Sequence, residues 1–123
     1  MQVLLGRLLA FFGLVFLVAS CAGGTSAEVS GDVARGGELF QANCAACHGV
    51  EGTGTVSGPP LVHEYYVPSH HPDAAFRSAV AAGVRPHHWD FGPMPRIEGI
   101  SDADVADIIA YVRQLQREAG LID

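Results

Sequence analysis

The chain has 123 residues, 16% charged and 49% hydrophobic, which fits one small domain rather than two. Thirteen Asp and Glu stand against seven Arg with no Lys. The basic surface that phosphate neutralisation needs is therefore missing, and nucleic-acid binding is excluded. Much of the apolar content lies at the start. Met1 to Arg7 carries one positive charge, Leu8 to Val18 is apolar, and small residues follow at Ala19 and Ser20, the pattern of a signal peptide over 1–20. As a helix at about 1.5 Å per residue the apolar run reaches roughly 16 Å, short of a hydrocarbon core of roughly 30 Å. A permanent span is the weaker expectation.

Val18-Ala19-Ser20-Cys21 resembles the lipobox of bacterial lipoproteins, in which cleavage before the cysteine frees it to carry acyl chains. The resemblance implies lipidation of Cys21 as the mature N-terminus, with residues 21–29 forming the lipidated start and a flexible tether around Gly23-Gly24-Thr25-Ser26. Several acyl chains, at about 0.8 kcal/mol per buried CH2, would hold the domain stably on a membrane surface. The alternative is an ordinary secretory signal with a cysteine near its cleavage site, giving a soluble periplasmic or secreted protein.

The first expected helix runs from about Gly31 to Asn43, with Val33, Leu39 and Phe40 as apolar anchors. Gly36-Gly37 lowers its propensity by about 1 kcal/mol per glycine, which is consistent with a close helix crossing there. Cys44-Ala45-Ala46-Cys47-His48 follows. This is C-x-x-C-H, the c-type haem attachment motif. On a helical turn, positions i, i+3 and i+4 share a face, so two thiols can bond two haem vinyl groups while the imidazole of His48 reaches the iron. A thioredoxin-like dithiol would follow a buried strand, and none is apparent before Cys44. A zinc site would need a second cysteine pair, which the chain lacks. Gly49 to Gly58 is glycine-rich but has no P-loop Lys, and no Ser-His-Asp order or catalytic carboxylate pair can be assigned.

Asp73 to Ala82 reads as a second helix, opened by Pro72-Asp73, carrying Phe76 and Val80 and stopped by Gly83. Met94 is the one thioether left once Met1 departs with the signal, and it lies in Gly92-Pro93-Met94-Pro95, where the prolines exclude helix and stiffen the segment. It is the candidate sixth iron ligand. The third helix is the clearest: Ser101 caps it, Asp102 and Asp104 acidify its first turn, and Val105, Ile108, Ile109, Val112 and Leu115 form an apolar stripe before Gly120. Arg113 and Arg117 suit its C-terminal end. All seven prolines fall between residues 59 and 95, marking long connections that a ligand would organise. Leu61, Phe91 and Ile97 are candidates to cover it.

These features together resemble class I cytochrome c over Ser30 to Gly120. Gly36 and Phe40 match the small residue and aromatic of that family's first helix, Gly58-Pro59-Pro60-Leu61 matches its G-P-x-L loop, and Tyr111 matches the aromatic of its C-terminal helix. The resemblance implies an all-α fold of three main helices, the last packed across the first, with long loops wrapped around one covalent haem c. Residues 30–120 would form that domain and 121–123 a tail. It also implies that the carbonyl of Pro59 accepts the Nδ1–H of His48 and so orients it.

With His48 and Met94 filling both axial positions, the iron has no site for oxygen or peroxide and is suited to one-electron transfer, not to catalysis. Redox proteins are the expected partners. Without the signal the chain keeps six Arg against thirteen carboxylates, so a basic or largely apolar partner surface is expected. Trp89 can either bond a haem propionate or cover the ring. Five further histidines, His63, His70, His71, His87 and His88, include two adjacent pairs. They can serve as hydrogen-bonding or exposed side chains, since neighbours on extended backbone point to opposite faces. Alternatively one from each pair, with His63, converges on copper or zinc. A further alternative is a haem enzyme in which Met94 is displaced.

Overall fold

The computed structural model describes residues 31–123, so the expected signal over 1–20, the expected lipidation site Cys21 and the expected tether up to residue 29 lie outside the described residues. Helix α1 (Val33–Asn43) begins two residues later than the pattern suggests, because Asp32 is its cap and accepts from the N–H groups of Ala34 and Arg35. A short α2 (Ala45–His48) carries most of the C-x-x-C-H motif, α3 spans Asp73–Ala82, and α4 spans Asp102–Glu118. A 3-10 turn over Glu64–Tyr66 interrupts the long connection between α2 and α3. Among the described residues the only extended pairings are isolated bridges, Thr55 with Gly58 and Val84 with Met94.

Helices α1 and α4 pack against each other across Gly36. A Cβ built on Gly36 would lie 1.9 Å from the carbonyl oxygen of Asp107, so only glycine allows this approach. Next to it Phe40 is fully buried, with its ring centroid 5.4 Å from that of Tyr111. Arg35 pairs with both Asp104 and Asp107, and the Asp32 N–H donates to Asp107 at 2.7 Å. Val33, expected as an anchor, is instead 38% exposed.

Ser101 and Asp104 form a reciprocal capping box at the start of α4. Val105, Ile108, Ile109 and Val112 are buried as their spacing predicts, while Leu115 is half-buried. Arg113 departs from expectation: it does not sit at the helix end as a solvated charge but is 6% exposed. Its guanidinium donates to the Tyr66 carbonyl (2.6 Å), the His71 carbonyl (2.7 Å), Gln116 (2.8 Å) and Asp73 (2.9 Å). The fully buried Gln116 adds bonds to the carbonyls of Leu61 (2.9 Å) and Tyr66 (3.0 Å). An irregular loop cannot pair its own carbonyls, so α4 supplies the donors that hold residues 61–71 against the helix.

Candidate functional site

The site begins at the end of α1. The α2 turn places Cys44 half-buried, Cys47 exposed and His48 buried, and both thiols are free, not bridged to each other. The Nδ1–H of His48 donates to the Pro59 carbonyl at 2.8 Å, as the family resemblance implies. With the proton held there, Nε2 keeps its lone pair. Burial lowers the His48 pKa, against a smaller opposing effect of the Pro59 bond, so the ring stays neutral and able to ligate. Burial first, and the neighbouring Cys47 second, push the Cys44 thiol up to about 11. A dithiol redox centre works through a depressed thiolate pKa, so that use of the pair is disfavoured.

Tight backbone turns shape the segment after the motif. Gly58 passes so close to α2 that a Cβ would meet the Cys47 carbonyl at 2.9 Å, and the Thr55 hydroxyl donates to that same carbonyl at 2.7 Å. These contacts bring Pro59 under His48.

Met94 reaches the site by backbone pairing that sequence patterning does not reveal. It exchanges hydrogen bonds with Val84 (2.9 and 3.0 Å), and Ile97 N–H donates to the Val80 carbonyl at 2.9 Å, so the proline-rich loop is tied to the end of α3. Gly83, at φ 74°, makes this possible; a Cβ there would lie 2.5 Å from the Met94 carbonyl oxygen.

His48, Met94, Cys44 and Cys47 all line one cavity of about 440 Å³, whose walls include the expected Leu61, Phe91 and Ile97. A neutral imidazole with a bare nitrogen, one thioether and two free thiols at a single apolar cavity form a donor set that fits a covalently attached haem. Trp89 also lines it, stacked on Tyr66 (centroids 6.1 Å, 16° between planes) and edge-on to Phe91 (6.1 Å).

A family model described as Cytochrome c matches residues 33–116, well over half of the chain. The chain belongs to the cytochrome c family. Among similar proteins, the cytochrome is 33% identical over 87 residues to "Cytochrome c-553-like" from Synechocystis sp., covering 71% of this chain and 72% of that one. It is 30% identical over 92 residues to cytochrome c-554(547) from Halothiobacillus neapolitanus, covering 71% of this chain and 100% of the relative. Cytochrome c6 from Leptolyngbya boryana is 33% identical over 82 residues, covering 66% of this chain and 89% of its own length. The crystal structure of cytochrome cL from Hyphomicrobium denitrificans shares the fold at a TM-score of 0.54 and 23% identity, covering 78% of this chain and 56% of that one.

This cytochrome is thus a small all-α, class I monohaem c-type protein: a haem electron carrier and not an enzyme, with Cys44 and Cys47 fitting the attachment site of one haem c. Among the described residues no helix is long and apolar enough to cross a membrane.

The structure distributes the remaining histidines unevenly. His70, His71 and His88 come together, each with a ring nitrogen within 4.8 Å of the others. His87 joins the edge of this group, its Nε2 lying 3.3 Å from that of His71. His63 stands apart: its Nδ1 accepts from the Tyr65 N–H at 3.2 Å and its ring packs edge-on against Trp89 at 5.1 Å. Arg96 pairs with Glu98 at 3.2 Å on the surface.

Proposed function

We propose that the cytochrome carries single electrons with His48 and Met94 as axial ligands of a haem bonded to Cys44 and Cys47. The haem iron supplies a one-electron change of charge when bound. The observation that carries this assignment is that a tautomer-locked imidazole and the only described thioether line the same apolar cavity. Pro59 holds the proton on His48 Nδ1 and fixes the ring orientation. The Val84 pairing keeps Met94 from swinging away. Leu61, Phe76 and Ile97 keep water off the cavity wall, so a ferric charge is poorly solvated there and a positive midpoint potential is expected. Trp89 serves as part of the aromatic wall, supported by its stacking on Tyr66.

Residues 1–20 act as a lipoprotein signal, Cys21 carries the lipid, and 22–29 tether the haem domain of residues 30–120 to the periplasmic side of a bacterial membrane. Donor and acceptor are redox proteins that meet an acidic chain through a basic or apolar surface.

Replacing Met94 tests the ligation. The wild-type ferric protein is expected to show the far-red iron–sulfur charge-transfer band, and Met94→Ala to lose it with a fall in midpoint potential. A band and potential unchanged in the variant would exclude Met94. Haem that acidified organic solvent extracts would exclude attachment through Cys44 and Cys47.

A further inference from the structure

We propose that His70, His71 and His88 form a second metal site, distinct from the haem iron, for a borderline divalent transition-metal ion such as Zn2+ or Cu2+. The three side chains come from two loops far apart in sequence, yet a ring nitrogen from each lies within 4.8 Å of the others. Neither loop is free to drift. Arg113 holds the first through the His71 carbonyl at 2.7 Å, and the Val84–Met94 pairing anchors the segment that leads to the second.

The hydrogen bonds of the cluster leave lone pairs facing one another. His71 gives its Nδ1–H to the Tyr65 carbonyl, and His87 gives its Nδ1–H to the Arg85 carbonyl at 3.1 Å. A neutral imidazole has one N–H, so both Nε2 atoms are acceptors, and they face each other at 3.3 Å. Two neutral acceptors at that distance repel unless a proton or a metal ion lies between them. Two nitrogens bound at about 2.0–2.1 Å to a tetrahedral ion stand roughly 3.3 Å apart, which is the separation found. His87 thus stands beside the triad, within ligand spacing of His71 alone.

A second observation is independent of that pair. The Nε2 of His88 is buried and has no hydrogen-bond partner, a state that leaves desolvation uncompensated until something binds it. Imidazoles alone make up the group, which selects zinc and copper over calcium or magnesium. His70 is exposed and gives the ion an entry path. His71, His87 and His88 also line the haem cavity, which places the ion at its edge.

The test uses holoprotein stripped of adventitious metal with a chelator, then dialysed against Zn2+ or, separately, Cu2+, with metal and iron measured together. One equivalent of zinc or copper per haem iron is expected, with imidazole nitrogen couplings in the electron paramagnetic resonance spectrum of the copper form. His70→Ala and His88→Ala should each weaken binding at least tenfold, while His63→Ala retains it. His70 neither lines the haem cavity nor is buried, so its variant keeps the haem spectrum and decides the matter even where His88→Ala misfolds. Absence of saturable binding of either ion, or binding undiminished in His70→Ala, overturns the site. A failure of the haem assignment shows separately, as a colourless or extractable product.

Discussion

Substituting Gly36 by alanine sets two effects of opposite sign against each other. Alanine in place of glycine inside a helix favours α1 by about 1 kcal/mol. The new methyl, however, would lie 1.9 Å from the Asp107 carbonyl oxygen and 2.5 Å from its carbon, where real contacts stay beyond 3.0 Å. Backbone cannot rotate aside as a side chain can, so α1 and α4 must separate by about 1.1 Å at their crossing. A gap of roughly 0.5–1 Å already forfeits a quarter to a half of a dispersion well. Phe40, fully buried beside the crossing, takes much of that loss. Overpacking typically costs about 1–3 kcal/mol, and a backbone clash this close belongs at the upper end of that range, leaving a net destabilisation of roughly 1–2 kcal/mol after the gain in propensity. For a domain near 100 residues that lowers the melting temperature by about 5–15 °C. The assay is thermal unfolding of the oxidised holoprotein followed by far-ultraviolet circular dichroism, with Gly37→Ala as the internal control. The nearest atoms to a Cβ on Gly37 belong to the Tyr111 ring, from 3.2 Å, and a ring can shift, so that variant should stay within about 1 kcal/mol of wild type. Equal stability of the two variants, or a Gly36→Ala protein that melts higher, would refute the reasoning.

Arg113→Met removes the donor that holds the Tyr66 and His71 carbonyls and should cost about 2–4 kcal/mol by denaturant titration. Asp73→Asn should cost less than about 1 kcal/mol, because the Asp73 side chain is 59% exposed and the ion pair is screened. The Asp104 carboxyl is held down from 3.8 to about 2, first by the Ser101 hydroxyl and N–H and then by Arg35. Its folded pKa is the lower one, so its contribution is complete above about pH 4 and is lost as pH falls toward about 2. Acid unfolding curves should therefore flatten over that range in Ser101→Ala; an unaltered slope would remove the capping box as its cause. Gly58→Ala places a Cβ 2.9 Å from the Cys47 carbonyl oxygen, and impaired haem attachment is the expected result, read as absorbance per polypeptide.

Much of the site is legible in the chain because its determinants are local. Cys44, Cys47 and His48 lie within one helical turn, and covalent chemistry prescribes their spacing whatever surrounds them. Met94 stands out because Met1 is the one other methionine of the sequence, and its flanking prolines exclude helix. The stripe on α4 follows from helical periodicity alone. The burial of Arg113 is not legible in the same way. An arginine near a helix end normally complements the dipole, and only the carbonyls delivered by residues 61–71 make it a buried anchor.

The histidines show the same division. On extended backbone His70-His71 and His87-His88 should each diverge, and sequence offers no reason for three of them to meet while His63 faces Trp89 instead. By itself, then, the sequence determined the helices, the haem motif and the available iron ligands, because each rests on residues a few positions apart. Tertiary structure alone decided which loops are pinned to α4, how closely α1 approaches it, and which imidazoles share a site. Those outcomes depend on distances between segments many residues apart, set by unpaired loop carbonyls seeking donors and by the absence of a single Cβ at Gly36.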